Sequence, residues 1–197
     1  MSHTLADLVP RLAGQQILVI GDVSLDEYLF GRATRLSREA PVPVLELVRR
    51  HIILGGAANP ARNIVALGSM AAQIGIVGAD PEGEQLRDLL HQAGIAAQGL
   101  VIAPQRPTTR KTRILADESP RLAQQVARLD RLDRSPLMPD EEALVIAALR
   151  NQIAGANALI CSDYQLGMMT PAVINAARDL CHTHGVRFTV DAQGNSR

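Results

Sequence analysis

Apolar positions along the chain fall into runs of different period. Ile17-Leu18-Val19-Ile20, Ala72-Gln73-Ile74-Gly75-Ile76-Val77 and Ala158-Leu159-Ile160-Cys161 show no polar alternation, the mark of strands buried on both faces of a parallel sheet. Arg187-Phe188-Thr189-Val190-Asp191 predicts a further strand, whose edge would lie open. Between these runs the spacing turns helical. Ala61, Ile64, Val65 and Leu67 predict a helix stopped by Gly68, and Pro81 with Glu82 and Glu84 opens one that runs to about Ala93 and ends at Gly94. Residues 139–154 and 171–182 predict two more, the first with an acidic start suited to the helix dipole. His182 and His184 stand two apart near the end of the second, on different helical faces, and read as favourable charges at the dipole rather than as ligands. A short helix over residues 4–13 is interrupted by Pro10 and ended by Gly14.

Other segments break the alternation. Tyr28-Leu29-Phe30-Gly31-Arg32 and Val42-Pro43-Val44-Leu45-Glu46-Leu47-Val48 predict short strands, the second an edge strand because Pro43 has no N–H to donate. Thr108 to Leu115 and Gln124 to Asp130 predict two more. Strands placed between a core strand and a core helix do not fit the central sheet, so a small β lid is expected from about 27–53 and 98–131. Its apolar surface would need a ligand or a second subunit to cover it. The fold class is therefore α/β, an open and mostly parallel sheet with helices on both faces plus this lid, and residues 1–197 are read as part of one domain.

Composition narrows the function. The 197 residues carry 20 acidic and 20 basic side chains, so no bulk electrostatic pull toward nucleic acid or an anionic membrane is expected. With two Tyr, two Phe and no Trp, the stacking platforms of single-strand binders are missing too. No signal peptide or membrane-length apolar run is legible, and a cytoplasmic location is expected. Cys161 and Cys181 are too few for a metal framework and are expected as buried thiols.

Candidate chemistry clusters in three places. Gly21-Asp22 ends the first core strand, where ligands bind in open parallel sheets, and Asp26 follows four residues later. Both could equally serve turn chemistry. Leu54-Gly55-Gly56-Ala57-Ala58-Asn59-Pro60 offers a backbone that approaches a ligand closely and an amide that donates and accepts, or else a plain turn from strand to helix. Lys111 and Arg113 alternate to one strand face, making either a phosphate or carboxylate site or a solvated edge.

Gly55 to Ala61, Gly68 and Gly78 resemble the first signature of the ribokinase-like (PfkB) carbohydrate kinase family. More narrowly, several motifs in the same order resemble the kinase domain acting on D-glycero-β-D-manno-heptose 7-phosphate in ADP-heptose biosynthesis. They are Gly21-Asp22 with Asp26, Arg35 to Val44, Arg106 to Arg113, Gln124-Gln125 with Arg128-Leu129-Asp130, and Ser162-Asp163-Tyr164. The resemblance implies transfer of the ATP γ-phosphoryl group to a sugar hydroxyl with Mg²⁺ on the phosphates. It implies that Asp22, Asp26 and Asn59 hold sugar hydroxyls while Gly55 and Gly56 let the backbone close on the sugar. Lys111 or Arg113 would meet the substrate's phosphate, and the lid would form a homodimer.

The chain departs from the family in three respects. The family's Asn-x-x-Glu element and Gly-Ala-Gly-Asp loop, which carries the catalytic base, do not occur in these 197 residues. No catalytic base and no metal ligand is therefore assigned here, the ATP-binding part is absent, and the chain alone is expected to bind sugar phosphate without turnover. Gln165 and Leu166 stand where the family carries Gly or Ala and then Lys, and Asp117 to Arg121 resembles a small insertion. A non-catalytic sugar-binding or dimerisation module is the alternative. A nicotinamide oxidoreductase is disfavoured because Gly21 to Asp26 is not a glycine-rich dinucleotide turn.

Overall fold

The first core strand, β1 (Gln16–Gly21), lies at the centre of a five-stranded parallel sheet, and everything else is arranged around its two neighbours. A computed structural model describes residues 5–116 and 124–193. The predicted insertion at 117–121 and the start of the N-terminal helix at Thr4 lie outside these described residues. The sheet order is β5 (Ala96–Ile102), β4 (Met70–Val77), β1, β8 (Ala158–Asp163), β9 (Arg187–Ala192). Every pairing is parallel, with Leu18 opposite Ala72 on one side and Leu159 on the other.

Helices cover the two faces because alternate residues of each strand point opposite ways. Val19, Ala71 and Val77 pack against α1 (Ala58–Ala66) and α2 (Pro81–Gln92), where Leu86 and Leu90 are fully buried. Leu18, Ile20, Leu159 and Cys161 pack against α3 (Pro139–Gln152) and α4 (Pro171–His184) through Val145, Leu149, Val173 and Cys181. The helix starts follow their sequence signals. Asp80 caps α2 by accepting from Gly83 N at 2.9 Å, and Thr170 caps α4 by accepting from Val173 N at 3.3 Å. Gly185, in the left-handed region at φ 66°, ends α4. Both cysteines are buried thiols, and desolvation pushes Cys161 up to about 12.

The lid is a separate four-stranded sheet in the order β3 (Pro43–Gly56), β2 (Val23–Leu36), β6 (Arg110–Ala116), β7 (Gln124–Arg131). Four expectations change here. The short strands expected at 28–32 and 42–48 fall, apart from Val42, within two 14-residue strands forming one antiparallel hairpin. Register shifts at Phe30/Gly31 and Ala33/Arg35 had blurred their period-two pattern. Gly55 and Gly56 are the last residues of β3, not a loop. Residues 98–102 of the expected lid segment belong to β5 at the edge of the central sheet, where parallel pairing with β4 holds them. The N-terminal segment is a 3-10 helix, Leu5–Leu12, which contains Pro10. Pro43 does lie on an edge strand, and β9 forms the opposite edge of the central sheet with Val190 half exposed.

The lid's two faces differ. On the back, Leu25 and Leu54 are buried in the core beside α2, and above them sits a charge network. Glu27, 2% exposed, meets Arg50 of β3 at 2.5 Å, Arg110 of β6 at 3.0 Å and the Thr112 hydroxyl at 2.5 Å. Arg110 continues to Glu82 of α2 at 2.9 Å, and Arg131 of β7 reaches Glu82 at 3.0 Å and Asp80 at 3.3 Å. Three acids face three arginines, so the lid is tied to α2 by a chain of alternating, balanced charge.

Burial alone would raise the Glu27 carboxyl, but the hydrogen bonds from Thr112 and Arg50 and the charges of Arg110 and Arg50 outweigh it and hold it below its ordinary value of 4.5. A depressed acid stabilises the fold above that value and loses its contribution as pH falls through the folded one. Glu27→Gln, which leaves arginines facing a neutral amide, is expected to cost about 3 kcal/mol at neutral pH. In urea titrations at stepped pH, the gap between wild type and variant should close as the pH falls below 4.5.

Candidate functional site

The site is built where β1 leaves the central sheet. Gly21 is crowded, for a Cβ there would lie 2.0 Å from the Ser162 carbonyl oxygen, and its φ of 157° is one that residues with a side chain rarely adopt. Asp22 follows as the only residue between β1 and β2. Its N–H donates to Ser162 O at 3.3 Å, and its carbonyl accepts from Ala57 N at 2.9 Å. The carboxylate, 3% exposed, accepts from the backbone N–H groups of Tyr164 (2.9 Å), Leu166 (3.1 Å) and Met168 (3.3 Å). Desolvation raises its pKa against the opposing pull of these three donors.

Asp22, expected to hold a sugar hydroxyl, thus spends its carboxylate on the loop after β8. Alternate amides of that loop converge on it because Gln165 and Gly167 adopt left-handed backbone, at φ 57° and 89°. Gly56 is left-handed too, at φ 55°, and a Cβ there would sit 2.2 Å from the Asp22 carbonyl oxygen. It lets β3 return beside β1 and enter α1. Asn59, in the first turn of α1, is exposed, and its amide makes no hydrogen bond to the described residues.

The front face of the lid gathers the other predicted residues. Asp26 lies opposite Lys111 and Tyr28 opposite Arg113 in the parallel β2–β6 register, so all four side chains share this face. Arg113 Nη1 is 3.2 Å from Asp26 Oδ1, and the guanidinium sits over the Tyr28 ring at 5.2 Å. Lys111 makes no ion pair with the described residues. Its ammonium lies 5.2 Å from the Tyr164 ring centroid. Gly55 has a steric reason to lack a side chain, since a Cβ would come within 2.6 Å of Asp26 Cγ and 2.7 Å of the Ser24 hydroxyl.

Four buried polar atoms in and beside this region have no hydrogen-bond partner among the described residues. They are Ser24 Oγ, Asp26 Oδ1, Arg113 Nη1 and Ser162 Oγ, of which Asp26 Oδ1 and Arg113 Nη1 face each other across the 3.2 Å ion pair. Such atoms cost free energy unless a bound group satisfies them. Tyr164 closes the site from the central sheet. Its pKa is raised by burial and then by the negative charges of Asp191 and Asp26, against a lowering contribution from the Ser162 hydroxyl.

Asp26, Gly55, Lys111 and Arg113 therefore come together. Asp22 lies behind them as a support, Gly56 acts through the backbone turn, and Asn59 stands at the helix start. Ser24, Ser162 and Tyr164 were missed as site residues. Ser24 was detectable as the residue two before Asp26 on the same strand face, and Tyr164 as the residue leaving β8 at the ligand end of the sheet.

This parallel α/β sheet with its β lid is the fold of solved carbohydrate-kinase structures. The chain belongs to the pfkB family of carbohydrate kinases, whose family model matches residues 15–195. It is 41% identical over 192 residues to the bifunctional protein HldE of Caulobacter vibrioides, a match that covers 97% of this chain and 38% of the relative. The chain thus spans well under half of that curated relative. Among solved structures it is similar to a carbohydrate kinase from Agrobacterium tumefaciens, with a TM-score of 0.65 and 22% identity over 89% of this chain and 53% of that one. It is also similar to phosphofructokinase-2 from Escherichia coli, with a TM-score of 0.66 and 22% identity over 91% of this chain and 54% of that one.

Two substitutions test the loop geometry. Gln165→Gly removes a side chain from the left-handed region and should stabilise the protein by up to about 1 kcal/mol in urea unfolding. Asp22→Asn, which replaces one acceptor oxygen by a donor, should lower stability by about 1–3 kcal/mol.

Proposed function

We propose that this chain is the sugar-phosphate-binding part of a kinase that transfers the ATP γ-phosphoryl group to the anomeric hydroxyl of D-glycero-β-D-manno-heptose 7-phosphate, working in the cytoplasm. The observation that carries the reading is the buried Ser24 hydroxyl without a hydrogen-bond partner, set beside the Asp26–Arg113 ion pair and Lys111, a cation with no acidic partner among the described residues. A polyol with a phosphate supplies what each lacks. Hydroxyls donate to Asp26 and exchange bonds with Ser24, while a phosphate compensates Lys111. Arg113 orients the Asp26 carboxylate toward the same ligand through their ion pair.

The relatedness to HldE supports the heptose assignment, and membership of a carbohydrate kinase family supports ATP as donor. Mg²⁺ would neutralise the transferring phosphates when bound. Among the described residues no group of three or more His, Cys, Asp or Glu side chains is placed to hold it. The roles assigned to this chain are accordingly to bind and orient the sugar and, through the lid, to exclude water from the acceptor hydroxyl. Leu47 and Leu129 are 65% and 61% exposed on the lid. We assign this apolar surface to a homodimer formed through the lid.

Calorimetric titration tests the reading. The 197-residue chain should bind heptose 7-phosphate. Lys111→Ala should weaken that binding about tenfold or more, a lost charge-assisted contact, while leaving the weaker binding of unphosphorylated heptose unchanged. Asp26→Asn should weaken both. Equal affinity of wild type and Lys111→Ala for the phosphorylated sugar would remove the phosphate assignment. With Mg·ATP added, these residues alone should release no ADP, and steady ADP release would overturn the division of labour.

A further inference from the structure

Arg106 lies outside the front face of the lid yet is bound to the loop that carries Tyr164. Its side chain is only 9% exposed, in the connection between β5 and β6. Nη2 donates to Ser135 O at 2.7 Å and to Leu166 O at 3.3 Å, and Nη1 lies 3.9 Å from Asp133 and 4.0 Å from Glu141. Leu166 is therefore gripped from both sides, its N–H by the Asp22 carboxylate and its carbonyl by the Arg106 guanidinium. Asp22 and Arg106 also line one small cavity with Thr109, Asp133 and Leu166, of about 20 Å³, room for one bridging water. The neighbouring residue fits tightly as well. Gly167 donates no side chain because a Cβ would lie 2.0 Å from Ser135 O, and its carbonyl accepts from Leu137 N at 3.2 Å.

A loop containing two left-handed residues would not keep this shape by itself. We infer that Arg106 is a positioning residue for the sugar-phosphate site: opposite Asp22, it clamps residues 164–168 so that the Tyr164 ring stays beside Lys111. The inference rests on the sugar-phosphate reading above for its functional consequence, while the clamp itself rests on the hydrogen bonds. Lysine replaces the guanidinium only in part, because one ammonium lacks the fork by which Nη2 meets the Ser135 and Leu166 carbonyls while Nη1 faces Asp133 and Glu141.

The chain has two tyrosines and no tryptophan, so fluorotyrosine labelling gives two ¹⁹F resonances, which Tyr28→Phe assigns. Arg106→Gln and Arg106→Lys should both shift or broaden the Tyr164 resonance and move its titration toward the ordinary value of 10.0, Lys less than Gln, and leave Tyr28 in place. Calorimetry should show heptose 7-phosphate affinity reduced about tenfold in Arg106→Gln, with partial rescue in Arg106→Lys. Arg106→Lys keeps the charge and stem, so it tests the clamp even if Arg106→Gln does not fold. An unmoved Tyr164 resonance in a folded variant overturns the proposal. A moved resonance in a protein whose wild type binds no sugar phosphate sustains the clamp and removes the function proposed for the site.

Discussion

At Asp22 one residue satisfies backbone groups from three separate stretches of chain. Its amide donates to Ser162, its carbonyl accepts from Ala57, and its carboxylate takes the amides of Tyr164, Leu166 and Met168. Those stretches are the end of β8, the start of α1 and the loop leading to α4. Removing water from a carboxylate is costly, and amide donors offset that cost only if the loop offers them in the right order. The left-handed backbone at Gln165 and Gly167 provides the order. The lid, which begins at Val23, inherits its position from this junction, because β1 passes into β2 with Asp22 alone between them.

The lid then uses its faces for different tasks. The back is held to α2 by Leu25 and Leu54 and by the alternating charges from Glu27 through Arg110 and Glu82 to Arg131. Such a network compensates buried charge better than an isolated pair, because every guanidinium meets a carboxylate and Glu27 also receives a hydroxyl. The front is left incomplete. Among the described residues Lys111 has no acidic partner and the Ser24 hydroxyl no hydrogen-bond partner, while Asp26 and Arg113 pair only with each other's facing atoms. A sheet satisfied on one side and unsatisfied on the other is suited to binding a polar ligand without losing its attachment.

Much of the site was legible because strand alternation is a local property. The period of two puts Ser24 with Asp26, and Lys111 with Arg113, on common faces whatever the rest of the fold does. Asp22 shows the limit of that reasoning. From its position after a core strand it looks like a ligand-binding acid, and only the return of residues 164–168 reveals that its oxygens accept three backbone amides. Glu27 shows the same limit in reverse. One apparently surface-exposed acid in a polar strand becomes a buried charge once Arg50, Arg110 and Thr112 arrive from other strands.

Hydrophobic period, helix caps and glycine placement were thus enough to specify the parallel sheet, the helices beside it and the presence of a lid, since each depends on residues within a few positions of one another. The family signature from Gly55 to Gly68 was legible for the same reason. Register was not. Whether residues 98–102 join the lid or the central sheet depends on β4 as a hydrogen-bonding partner more than twenty positions earlier. Which carboxylates are satisfied and which remain available depends on contacts such as Asp22 with Met168 and Glu27 with Thr112, separated by 146 and 85 residues. Side-chain chemistry is written in the chain, but its availability to a ligand is a property of packing, because only the folded molecule determines where competing donors and acceptors lie.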